Sequence, residues 1–407
     1  MKNIYILDEA FSSKRNGIGT YIKQLIACFK PIANVCVVSF NDNVDEFSIN
    51  IKKGIKRMLF PTFHSGNFIS HGEIISLFFK LYIPDYENNL FIINHSPCST
   101  FLSSIKETLP LSKIVFVIHD FNWTMDCEGN DLFYRKIIKS KNLKTIKKKY
   151  PHLLSCYEEE KKIYDFSDKV ICLCEDTKCL LLDLYKIPES KIFMIPNGIS
   201  DISLAGDDKN DIRNKLLINE NEKILLFVGR LVISKGTGVL MKAFEKILEY
   251  DRNVRLVIVG SSYGGYLEKL FSEHPFIISH VTFTSYLDKE ILHKWYSIAD
   301  IGILPSYYEQ CSCTGIEMLM NGLPIVTTDG FGLRNMFHQG TNACVVPIGD
   351  RKNSQEFADN IANSVIELLK SKTLRENLSI KARCCYESKY DIRHMREGYK
   401  RLMSKLI

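Results

Sequence analysis

The chain has 407 residues, of which 45% are hydrophobic, 11% aromatic and 25% charged. At roughly 150 residues per domain this predicts two or three globular domains and excludes both a small module and a disordered chain. The net charge of +6, from 53 basic against 47 acidic residues, is too small an excess to hold nucleic acid.

The N-terminal apolar run stops at Asp8 and Glu9, short of a secretory h-region, so a cytoplasmic protein is expected. Apolar runs at 4–7, 35–40, 91–93, 114–118, 170–174 and 192–195 predict buried parallel strands. Between many of them lie helical patterns such as Ile22, Leu25, Ile26 and Phe29. The longest stretch free of Asp, Glu, Lys and Arg, 88–105, carries Asn94, His95, Ser96, Pro97, Ser99 and Thr100, and it cannot cross a bilayer. A second series of runs follows at 224–228, 255–259, 281–283, 301–304, 324–327 and 343–346. The reading is α/β, with two doubly wound Rossmann-like domains at 1–200 and 201–387 and a C-terminal helix at 388–407 returning to the first domain. The seam falls where Gly, Asp, Asn and Ser cluster, near Asn197 and Gly198.

One segment breaks the alternation. Between Arg135 and Lys149 lie Arg135, Lys136, Lys139, Lys141, Lys144, Lys147, Lys148 and Lys149 with no acid among them. The plain reading is a solvated helix face, and the sharper one a patch for an anionic membrane or a phosphate-bearing acceptor. The thirteen cysteines contain no Cys-x-x-Cys spacing, which predicts reduced core thiols rather than disulfides or a zinc ribbon.

Three places carry chemistry. Gly17 and Gly19 follow the first strand and open an amphipathic helix, which suits a phosphate. A nicotinamide fingerprint fails there because its third glycine position is Ile22. After the 224–228 run, Arg230 and Lys235 share one short loop, and an anion between them would relieve their repulsion. In the 307–324 window a loop holds Glu309, Ser312 is placed to cap a helix that carries Glu317 in its second turn, and Ser312, Cys313 and Thr314 at that helix start are expected to bind the donor. Two carboxylates so placed can flank one hydroxyl-rich ligand while the first helix amides meet a phosphate. Cys311 and Cys313 read as packing rather than a metal pair, because no His lies nearby.

Gly-Arg-Leu-x-x-x-Lys-Gly, the Val-Ile-Val-Gly strand end, Ile-Ala-Asp-Ile-Gly-Ile-Leu-Pro-Ser and the Glu309 and Glu317 pair together resemble family 4 of the retaining glycosyltransferases, which have the GT-B fold. Ile118-His119-Asp120 and Ile195-Pro196-Asn197-Gly198 match in the same order, so the resemblance spans nearly the whole chain. It implies two domains facing a central cleft. Arg230 and Lys235 would grip the donor diphosphate, Glu317 would bind the ribose hydroxyls, and Glu309 would contact the transferred sugar. It further implies that Gly17 and Gly19 face the diphosphate or sugar, that His119 lies near the donor sugar, and that Ser285 and Tyr286 receive the base. Gln310, Cys311 and Ser312 depart from the family's usual residues, which weakens any transfer of sugar specificity.

No Asp-x-Asp occurs, so Arg230, Lys235 and helix N-termini are the expected stabilisers of the leaving diphosphate, with no metal and no cofactor. The expected catalytic group is Arg230, Lys235, Glu309 and His119. The expected partners are a nucleotide-sugar donor and a glycan, lipid-linked glycan or peptide acceptor, met by loops 41–68 and 119–149 through Phe60, Phe63, Phe121, Trp123 and Phe133. Competing readings are a nucleotide-sugar epimerase or phosphorylase of similar fold, or a nucleotide-sugar-binding protein without catalysis.

Overall fold

All twelve apolar runs form strands, because each is a short β-branched stretch bounded by polar turn residues. The computed structural model describes residues 2–9, 17–62, 68–94, 98–140, 143–202, 209–216, 218–262 and 264–406. It divides into two units, Met1–Gly198 with Ile392–Ile407, and Ile199–Asp391. Arg15, Asn16, Phe63 and Lys141 lie outside the described residues.

The first unit holds β1 (Asn3–Glu9), β2 (Asn34–Asp42), β3 (Ser48–Lys52), β4 (Ile55–Pro61), β5 (Asn89–Ile93), β6 (Lys113–Val117), β7 (Lys169–Cys172) and β8 (Ile192–Met194). Their order is β3-β4-β2-β1-β5-β6-β7-β8, parallel throughout except for β3. The order reverses between β1 and β5, so the carboxyl ends of those two strands form the switch point where such sheets bind ligands.

The sequence reading missed β3 and β4. Segment 41–68 is not one open loop but carries a hairpin, whose turn Lys53-Gly54 has φ of 52° and 74° and pairs Lys52 with Ile55. Two positive φ values make the tight turn that matches strand twist. The signal was weak because Ile49 and Ile51, 41% and 77% exposed, alternate with polar residues on an edge strand.

The expected acceptor aromatics are also corrected. Phe60, Phe121 and Trp123 are buried, and only Phe133 of the described set is exposed. Trp123 stacks on Tyr134 at 4.5 Å, so these rings fill the core under segment 119–149. In the basic segment, Arg135 and Lys139 both pair with Asp183, at 2.6 and 2.7 Å, while Lys136, Lys147, Lys148 and Lys149 are exposed. Among the described residues no helix is long and apolar enough to cross a membrane.

The C-terminal helix Ile392–Leu406 belongs to the first unit. Its Tyr399 is buried, hydrogen-bonds Tyr21 and packs edge-on against Phe29 at 5.1 Å, both on the helix Gly17–Phe29.

The second unit holds β9 (Lys223–Val228), β10 (Val254–Val259), β11 (Val281–Phe283), β12 (Ile301–Leu304), β13 (Ile325–Thr328) and β14 (Cys344–Val346). All pairs are parallel, in the order β11-β10-β9-β12-β13-β14. Counted from β9 this is the 3-2-1-4-5-6 order of a dinucleotide-binding sheet, with its switch point between β9 and β12. Eight of the thirteen cysteines are buried and all are free thiols. Burial raises Cys28, Cys172 and Cys174 to about 12, which keeps them protonated.

Candidate functional site

The loops leaving β9 and β12 are tied together at the switch point of the second unit. Tyr307 N donates to Ser234 O at 2.9 Å. Gly236, with φ of 67°, brings its backbone so close to the β12 loop that an added Cβ would stand 2.0 Å from the Pro305 carbonyl oxygen. Only glycine fits there, and it turns the chain into the helix Thr237–Tyr250. Gly332, with φ of 75°, closes the other side, where a Cβ would meet Glu309 O at 1.8 Å. Glu309 N also donates to Phe331 O at 3.0 Å, so the loop that carries the carboxylate is held from both flanks.

This scaffold brings two of the expected residues together. Lys235 Nζ lies 2.6 Å from Glu309 Oε1, and Ser306 Oγ donates to the same oxygen at 3.1 Å. The two charged side chains are 22% and 15% exposed, so the pair is shielded but still open to a ligand. Arg230, on the same loop as Lys235, is exposed and makes no side-chain hydrogen bond or ion pair among the described residues. A cation without a partner on the loop that carries a shielded ion pair has the chemistry to meet an anion.

Ser312 caps the helix Cys313–Met320, and its side chain accepts from Gly315 N at 3.2 Å. The Ser312 N–H points at Met336 Sδ, 3.2 Å away. The Cys313 thiol sits amid both acidic groups of the window. Burial first, then the Glu317 charge, push it up to about 12, which suits packing and not a thiolate ligand. Among the described residues no three His, Cys, Asp or Glu side chains group to hold a metal ion.

Glu317 is buried and has partners the sequence reading did not name. Lys289 pairs with its Oε1, and Tyr296 Oη donates to Oε2 at 3.0 Å. Burial, then the neighbouring Glu317 charge, hold the Tyr296 hydroxyl well above its ordinary range, so it remains a donor. Lys289 and Tyr296 sit on the helix Lys289–Ile298 with His293 between them. His293 is 2% exposed with neither ring nitrogen hydrogen-bonded among the described residues, and burial lowers its pKa, which keeps the ring neutral. Lys289, His293 and Tyr296 are spaced i, i+4, i+7, the spacing of one helix face, and a carboxylate inside a buried helix stripe demands a donor. Those two signals together point to the contact.

Ser285 and Tyr286 follow β11 on the same edge. Ser285 takes φ of 57° and its carbonyl accepts from Gly260 N at 2.9 Å, while Tyr286 is 47% exposed. Thr314, in the first turn after Ser312, faces Tyr296.

Gly17, Gly19 and His119 lie in the first unit, past the carboxyl ends of β1 and β6. Gly17 and Gly19 form the first turn of the helix that follows β1. His119 follows β6, its ring edge-on to Tyr21 at 4.5 Å and its Nε2 3.3 Å from Asn94 Oδ1. Asn94, fully buried after β5, donates to Leu7 O at 3.1 Å and Ile92 O at 3.3 Å, which orients its oxygen toward His119. From the sequence neither Asn94 nor Tyr21 was given a place in the site.

Residues 208–384 match the family model of glycosyl transferases group 1. The second unit is a group 1 glycosyltransferase domain. An uncharacterized glycosyltransferase of Methanocaldococcus jannaschii is 34% identical over 43% of this chain and 46% of its own length, so that alignment spans about half of the relative. The lipopolysaccharide 1,2-N-acetylglucosaminetransferase of Salmonella typhimurium is 23% identical over 94% of this chain and 89% of its own. Among solved structures, sucrose-phosphate synthase from Thermosynechococcus elongatus superposes with a TM-score of 0.78 at 18% identity, covering 100% of this chain and 99% of that one. The fold is therefore GT-B, as the motif order implied.

Proposed function

We propose that the chain is a retaining, metal-independent glycosyltransferase that moves a sugar from a nucleoside-diphosphate sugar to a glycan, lipid-linked glycan or peptide acceptor. The observation that carries this reading is the meeting of Lys235 and Glu309 at the β9/β12 switch point, with Arg230 on the same loop as Lys235 and unpaired among the described residues. Breaking the bond between the anomeric carbon and the diphosphate leaves negative charge on the phosphate oxygens. Arg230, Lys235 and the amides of the Ser312-capped helix take up that charge without moving, which is how a preorganised site lowers a barrier.

In this reading Glu309 holds the sugar hydroxyls, Glu317 holds the ribose, and Ser285 and Tyr286 border the base. The roles implied for Gly17, Gly19 and His119 belong to the same reading. Retention follows when the acceptor hydroxyl attacks the face from which the diphosphate departs and gives its proton to the leaving phosphate oxygen. Similarity to a lipopolysaccharide N-acetylglucosaminetransferase over most of both chains supports a glycan acceptor. A cytoplasmic location fits such an acceptor, with the exposed Lys147, Lys148 and Lys149 available to an anionic membrane face.

The test is release of nucleoside diphosphate from UDP-, GDP-, ADP- and dTDP-sugars, with and without EDTA, in the presence of cell lipid or extract. Release from one donor that the extract stimulates and EDTA leaves intact is the expected result. Conversion of a donor without any acceptor points to an epimerase, binding without turnover to a non-catalytic protein, and loss of release in EDTA contradicts the metal-independent mechanism.

A further inference from the structure

Both oxygens of Glu317 are occupied from one helix, and the cation among its partners stands where helix electrostatics disfavour it. Lys289 is the first residue of Lys289–Ile298, at the positive end of that helix. The helix end disfavours a lysine there, and it reaches Glu317 Oε1 with a side chain that is itself 38% exposed, against 5% for the glutamate. Tyr296, two turns on, donates to Oε2. His293 between them is buried and neutral, so the charge this helix presents to Glu317 comes from Lys289.

Each carboxylate oxygen has two acceptor directions. With one direction on each oxygen taken by Lys289 and Tyr296, one acceptor direction is left on each oxygen, one for each hydroxyl of a vicinal diol. The same helix follows directly on Ser285 and Tyr286, so the Lys289 contact also joins the candidate base wall to the candidate ribose group.

We infer that Lys289 is a positioning residue that aims Glu317 at the ribose 2′- and 3′-hydroxyls and thereby makes the site select ribonucleoside over 2′-deoxyribonucleoside diphosphates. This rests on the donor reading above. A 2′-deoxy ligand leaves one fixed acceptor direction of a buried carboxylate without a donor, and sites built for a hydroxyl reject ligands that lack it. Without Lys289 the carboxylate loses its charge partner and its fixed direction, and the distinction between the two ligands fades.

The experiment is calorimetric titration of ADP, CDP, GDP and UDP and their 2′-deoxy counterparts into wild type, Lys289→Met, Lys289→Arg and Tyr296→Phe, with thermal unfolding recorded for each variant. Wild type is expected to bind the ribo form of its preferred base at least tenfold more tightly than the deoxy form. Lys289→Met is expected to bring the pair within about twofold, chiefly by weakening the ribo form. Lys289→Arg should restore most of the ratio, and Tyr296→Phe should shrink it. If Lys289→Met weakens both forms equally, or leaves the ratio intact, Lys289 only braces the fold and the inference is overturned. If wild type binds none of the eight diphosphates, the donor reading fails and this inference with it.

Discussion

Glu309→Gln separates the two demands placed on the Lys235 ammonium. In the structure that ammonium is committed to Glu309 Oε1 at 2.6 Å, and a diphosphate arriving at the switch point must compete for it. Glutamine keeps the shape and an acceptor for Ser306 Oγ but removes the charge. A hydrogen bond to a charged group is worth about 1 to 1.5 kcal/mol more than a neutral one. Freeing Lys235 should therefore tighten a bare nucleoside diphosphate about tenfold, since 1.4 kcal/mol is a factor of ten. Turnover should move the other way. Loss of the carboxylate that orients the sugar should lower kcat about a hundredfold, as removal of single preorganised groups does elsewhere. Fold stability should change by about 1 kcal/mol or less, because the pair is partly exposed and screened by solvent. Calorimetry with the diphosphate and steady-state kinetics with the donor measure both halves. Weaker diphosphate binding together with unchanged turnover would refute the placement of Lys235 and Glu309 at the donor.

Gly236→Ala should destabilise the chain by roughly 2 to 4 kcal/mol in urea unfolding, since a Cβ at φ of 67° meets the Pro305 carbonyl at 2.0 Å and must part the β9 and β12 loops. A wild-type midpoint would show that these loops are not packed as described. Arg230→Ala, at an exposed side chain without partners among the described residues, should leave stability within about 0.5 kcal/mol. It should lower kcat more than donor affinity, and an unchanged kcat removes Arg230 from charge stabilisation. Glu160, 4% exposed and hydrogen-bonded to Asn122 N–H and Tyr185 Oη, has its carboxyl raised by burial to about 7 from an open-chain value of 4.5. The folded state keeps a proton that the open chain has lost, so stability should fall as pH rises through that window, by roughly 2 to 3 kcal/mol between pH 5 and 8. Denaturant titrations at both pH values test this, with Glu160→Gln expected to flatten the difference and an equally steep fall in that variant assigning it elsewhere.

Much of this was legible in the chain itself. Buried parallel strands are continuous apolar runs, so β9 to β14 and six strands of the first sheet stood out, and motif order gave the fold. Lys235 and Glu309 were readable because each follows a strand at the switch point, where topology leaves few positions for a ligand. What was not legible depended on partners distant in sequence or on weak periodicity. β3 is an exposed edge strand with alternating polarity, β4 carries Lys56 and Arg57 ahead of its short buried run Met58 to Phe60, and Phe121 and Trp123 are aromatics in a polar segment whose burial only the fold decides. Lys289 meets Glu317 across 28 residues, a contact that neither segment announces alone. Asn94 was passed over because its importance lies in the carbonyls of Leu7 and Ile92 that turn its oxygen toward His119.

The most direct test of the account is titration of nucleoside diphosphates into wild type and into a variant carrying both Arg230→Ala and Lys235→Ala. Binding of one diphosphate by wild type, weakened at least a hundredfold in the double variant while thermal unfolding is preserved, is the predicted result. Equal binding by both proteins would place the donor diphosphate away from the β9/β12 switch point and contradict the mechanism built on it.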